Sequence, residues 1–131
     1  MTTLLVVEAD ILARAPLAAY LRECGFKVVE AASALEARML VVDEVLAIDI
    51  VLAEIGEPAR DGFALASWIR QREPGIQILL AGSVEVAAKK AGDLCEERAS
   101  VSKPYDHQLV LDRIRRAIAA RERNTGSSTD G

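Results

Sequence analysis

Short apolar blocks alternate with stretches of helical periodicity along most of this chain. Leu4-Leu5-Val6-Val7, Phe26-Lys27-Val28-Val29-Glu30, Asp49-Ile50-Val51-Leu52-Ala53-Glu54 and Ile76-Gln77-Ile78-Leu79-Leu80-Ala81 have strand length, and Ala99-Ser100-Val101-Ser102 is a weaker fifth block. Apolar runs of this length suit strands buried on both faces of a parallel sheet. The segments between them repeat at 3.6 residues. Leu17, Tyr20, Leu21 and Cys24 fall at i, i+3, i+4 and i+7, and Gly25 is a natural stop. Pro16 is disfavoured inside a helix, so this helix is expected either to start near Ala15 or to bend in its first turn.

Ser33-Ala34-Leu35-Glu36 matches a capping box ahead of a second helix, with Leu35, Met39 and Leu40 as its apolar residues. Phe63, Leu65, Trp68 and Ile69 pattern as a third, closed by Glu73-Pro74-Gly75. A fourth runs from Val84 to about Glu96, weakened by Gly92. Asp106 can cap a fifth, where Val110, Ile114, Ala117 and Ile118 share a face and Arg residues crowd the end. Five strands alternating with five helices predict an α/β fold, a five-stranded parallel sheet doubly wound with helices, in the order 2-1-3-4-5. Residues 1–122 form one domain, and 123–131, rich in Gly, Ser and Thr, read as a flexible tail.

Composition narrows the function. A chain of 131 residues, 51% apolar and 27% charged, is long enough for one real core and too short for two. Its net charge of −4 argues against a general electrostatic hold on nucleic acid. Cys24 and Cys95 form no C-x-x-C and read as two reduced thiols. No basic leader precedes the first apolar run and no run is long enough to cross a bilayer, so no membrane association and a cytoplasmic location are expected.

Candidate chemistry collects at the carboxyl ends of the predicted strands, where open α/β sheets place their sites. Glu54 ends strand three, Glu8 and Asp10 follow strand one, and Lys103-Pro104 follows strand five. With the block Glu54-Ile55-Gly56-Glu57-Pro58-Ala59-Arg60-Asp61-Gly62 and Lys103-Pro104-Tyr105, the chain from Leu4 to about Arg121 resembles the receiver domain of bacterial response regulators, a flavodoxin-like fold. The resemblance implies an aspartate at the end of strand three that accepts phosphate from a histidine kinase. It implies a Mg²⁺ held by two acids after strand one, that aspartate and a backbone carbonyl. It also implies a hydroxyl ending strand four and a lysine ending strand five, both on the phosphoryl group.

Carried over residue by residue, the pattern is broken. Glu54 takes the phosphoacceptor position, Glu8 keeps the first acid, and Ala9 takes the place of the second, with Asp10 one residue beyond. Ala81 stands at the lost hydroxyl position, Ser100 at the aromatic switch position, and Lys103 is kept. Ala9 removes an oxygen from a site for a cation that wants about six. Glu54 carries its carboxylate about 1.5 Å farther than Asp would, where about 1 Å of misplacement already costs about 100-fold. No metal is therefore expected, and Glu8, Glu54 and the Gly56 carbonyl are the ligands if one binds.

The expectation is a stand-alone degenerate receiver, not an enzyme, acting by protein contacts without regulated phosphorylation and followed by no output domain. Its partner would be a histidine kinase, another signalling protein, or a second copy met through the fourth helix, fifth strand and fifth helix. Glu54 would pair with Lys103. The rivals are an active receiver using Mg²⁺ and a small nucleotide- or flavin-binding enzyme, although no G-x-G-x-x-G follows the first strand. Plainer readings make Asp10 and Ser83 helix caps, His107 an exposed bystander and Trp68 part of a core or helix face.

Overall fold

The computed structural model describes residues 1–55, 59–97 and 111–120. Its elements are β1 (Thr3–Val7), α1 (Ile11–Glu23), β2 (Lys27–Ala31), α2 (Ala34–Val41), β3 (Ile50–Glu54), α3 (Ala59–Arg72), β4 (Gln77–Ala81) and α4 (Val84–Glu97), with a last helical stretch, α5, at residues 111–120. The sheet is parallel in the order β2-β1-β3-β4. That is the expected 2-1-3-4-5 sheet as far as β4. The expected fifth strand lies outside the described residues, as do Gly56, Ser100, Lys103, Pro104, Asp106 and His107.

Strand register follows from burial on both faces. Leu4, Val6 and Leu52 face one layer, with Leu17, Tyr20 and Leu21 of α1, Ala88, Ala91 and Leu94 of α4, and Ile114 of α5. Leu5, Val7, Val51 and Ala53 face the other, with Ala37 and Val41 of α2 and Leu65 and Ile69 of α3. α1, α4 and α5 therefore cover one face of the sheet, and α2 and α3 the other. Asp49 sets the start of β3 by accepting the Thr3 N–H at 2.9 Å through its carboxylate.

Four local expectations change. α1 begins at Ile11 and carries Pro16 in its interior, because Asp10 caps it one turn earlier than Pro16 suggested. On α2 the buried residues are Ala37 and Val41, whereas Leu35 and Met39 are exposed. On α3 Phe63 is exposed while Leu65, Ala66 and Ile69 are buried. On α2 the inner face is taken by Ala37 and Val41, and on α3 by Leu65, Ala66 and Ile69, so Leu35, Met39 and Phe63 are left on the outer side.

The fourth change concerns the cysteines. Cys24 and Cys95 are a disulfide, not two thiols, with α-carbons 5.6 Å apart. Seventy-one residues separate them in the chain, but the end of α1 and the inner face of α4 pack together. That spacing lies within the range a disulfide spans. Among the described residues no helix is long and apolar enough to cross a membrane.

Candidate functional site

The carboxyl edge of β1, β2 and β3 opens into a cleft of about 200 Å³ lined by Glu8 and Ala9 after β1, Ala32 and Ser33 after β2, Glu54 and Ile55 at the end of β3, and Asp61 of α3. Parallel strands deliver these residues to one edge because every strand runs the same way and every return is made by a helix.

Glu8 is held from three sides. Its N–H donates to the Ala31 carbonyl at 3.0 Å, and its own carbonyl accepts from Nη1 of Arg14 at 2.8 Å. Its Oε1 accepts the Asp10 N–H at 3.0 Å. Arg14 also meets Glu30 at 3.2 Å, and Arg22 reaches the other Glu30 oxygen at 3.2 Å, so two bases of α1 bracket one acid of β2. Asp10, grouped with Glu8 in an acidic pocket on sequence grounds, does not line the cleft. Its Oδ1 instead accepts the Leu12 N–H at 2.9 Å as the N-cap of α1.

Glu54 stands at the last position of β3 with Ala81 as its register partner on β4. Ala81 is fully buried. On the side toward α4, Val84 and Ala87 close in on Glu54 and Glu8. Among the described residues no hydrogen bond or ion pair reaches the Glu54 carboxylate. Burial raises its pKa above the ordinary 4.5.

Ser33 and Asp61 were not singled out as site residues. Ser33 shows in the sequence as a cap, and in the structure it does accept the Glu36 N–H at 3.1 Å. The signal for both was position alone, Ser33 at the N-cap of α2 after β2 and Asp61 in the first turn of α3 after β3. Ser83 caps α4 through the Val86 N–H at 3.2 Å and does not line the cleft. Glu85, in the first turn of α4, pairs with Arg115 of α5 at 3.0 Å, and that hydrogen bond lowers the Glu85 pKa.

Among the described residues no three acidic, histidine or cysteine side chains come together as metal ligands. Ala9 offers no oxygen, the Asp10 carboxylate caps a helix, and one Glu8 oxygen accepts a backbone N–H.

Residues 4–118 match the family model described as the response regulator receiver domain. Among solved structures, a receiver domain protein from Clostridium thermocellum is similar with a TM-score of 0.58 at 18% identity, over 93% of this chain and 98% of that one. The non-phosphorylated HemR receiver domain from Leptospira biflexa aligns with a TM-score of 0.57 at 25% identity, over 90% and 94%. A putative response regulator from Chloroflexus aurantiacus aligns with a TM-score of 0.55 at 27% identity, over 90% and 98%. No curated protein matches.

Proposed function

The chain belongs to the response regulator receiver domain family, and on that premise we propose that it signals by protein contacts without regulated phosphorylation. The observation that carries this reading is the setting of Glu54. It ends β3, half-buried, with Ala81 as its register partner on β4. Phosphoryl transfer needs positive charge or donors arranged around the phosphoryl oxygens. Here one hydroxyl and one carboxylate of the family pattern are replaced by Ala81 and Ala9, and the acceptor is longer by a methylene.

Lys103 is the cation best placed by topology to answer Glu54, since strands one, three and five of this fold end at one edge. The Glu54–Lys103 pair would hold the end of the fifth strand in one state, as a lasting substitute for the phosphorylated one. Mg²⁺ then binds weakly or not at all. The module acts on a histidine kinase or another signalling protein, as a binding domain and not as an enzyme. The small cleft supports this over a flavin or nucleotide site, which takes about 300–1,000 Å³.

Incubation of the whole chain with acetyl phosphate and Mg²⁺, followed by intact-mass measurement, tests the proposal. An unchanged mass is expected. A hydroxylamine-sensitive gain of one phosphate would return the chain to the active receivers.

A further inference from the structure

The outward face of α2 is apolar. Leu35, Met39 and Val42 are 71%, 67% and 45% exposed, and Val45 in the following turn is 90% exposed. The first three fall at i, i+4 and i+7, which makes one stripe on a helix of 3.6 residues per turn. Ala37 and Val41 carry the helix's buried face, about half a turn round from that stripe, so the described fold leaves the stripe without cover. Large apolar side chains are ordinarily scattered singly on a surface; four close together mark a contact site.

Charge says what covers it. Glu36 on the helix and Asp43 and Glu44 in the turn after it are exposed and acidic. The only base between residues 34 and 46 is Arg38, and its guanidinium lies 5.5 Å from the Trp68 ring centroid on α3, where the Arg72 guanidinium also lies, at 5.4 Å. An apolar stripe with an acidic rim disfavours a second copy packed α2 to α2, which would oppose like charges, and it disfavours an anionic lipid surface. It fits the helix-in-groove manner of recognition, with apolar anchors on the partner at matching spacing and bases beside them.

We propose that α2 is a docking face for a basic amphipathic helix of a partner protein, seated on Leu35, Met39, Val42 and Val45. The inference stands on α2 alone and does not depend on how Glu54 is read. The seat is next to the cleft, because Ser33 and Ala34 at the start of α2 line it.

The test is an NMR titration of the whole isotopically labelled chain with a synthetic helical peptide of about 14 residues, four turns, carrying leucines at i, i+4 and i+7 with lysines between them. The control peptide has glutamates in place of the lysines. Saturable shifts centred on residues 35–45 are expected with the lysine peptide, weakened by added salt and at least about tenfold weaker with the glutamate peptide. The double variant L35S/M39S, exposed positions whose replacement spares the core, is expected to weaken binding by at least about tenfold, with the circular dichroism spectrum unchanged. Three results would overturn the proposal. They are shifts that do not saturate or that lie elsewhere, equal binding of the two peptides, and self-association of the peptide-free chain that the double variant abolishes.

Discussion

Gly62 and Ile55 stand so close that a β-carbon on Gly62 would lie 2.9 Å from the Ile55 α-carbon and 3.0 Å from its carbonyl oxygen. Both obstacles are backbone, so no rotamer change relieves them. Gly62 thus lets α3 lie against the end of β3, where Glu54 leaves the sheet and the cleft begins. Gly62→Ala is expected to destabilise the fold by about 1–3 kcal/mol, the usual cost of overpacking, with a lower melting temperature by circular dichroism. A melting temperature equal to the parent's would mean that α3 and β3 approach less tightly than described.

Asp10 acts as a cap, so its replacement has a graded signature. Asp10→Ala is expected to cost about 1 kcal/mol in urea unfolding, whereas Asp10→Asn, which keeps the acceptor for the Leu12 N–H, costs a few tenths at most. If the asparagine variant lost as much as the alanine variant, the negative charge and not the cap would be what Asp10 supplies.

The Cys24–Cys95 bridge closes a separation of 71 residues and ties the end of α1 to the inner face of α4. On the chain-entropy account, removing it costs about 4 kcal/mol. Denatured but unreduced protein is expected to take up no iodoacetamide, and Cys24→Ser/Cys95→Ser to unfold at lower denaturant. Full alkylation of both sulfurs without reductant would show the pair as thiols, the form a reducing cytoplasm favours.

A proposed pair between Glu54 and Lys103 has a pH signature. Burial raises the Glu54 pKa above 4.5, so the folded state holds this proton more tightly than the unfolded chain does. An acid of that kind lowers stability at neutral pH, and the loss is recovered as pH falls through the folded value toward the unfolded one. With Lys103→Met the burial acts unopposed. The variant is expected to be less stable than the parent at pH 7 by about 1–3 kcal/mol, with the gap closing as pH falls toward 4.5. Glu54→Gln is expected to do less, since the amide still accepts a hydrogen bond. A gap that does not change with pH, or zero coupling in the Glu54→Gln/Lys103→Met cycle, would dissolve the pair.

The sequence by itself determined the alternation of elements, the parallel sheet as far as β4, and the place of Glu8 and Glu54 at its carboxyl edge. Apolar runs of strand length and 3.6-residue periodicity are local signals, and so are the caps at Asp10 and Ser33 and the stop at Gly25, whose φ of 98° suits a residue without a side chain. Only the tertiary structure decided which apolar residues of a helix face inward. Leu35 and Met39 carry more apolar area than Ala37, and the sequence marks them as apolar residues of α2 without saying which face they take. The sheet instead meets α2 through Ala37 and Val41 and leaves the larger pair in water. The same holds for Cys24 and Cys95, for the register that sets Ala81 beside Glu54, and for Asp61 in the cleft. Each of these depends on the distance between residues far apart in the chain, and that distance is set by how the layers pack, not by any pattern within one segment.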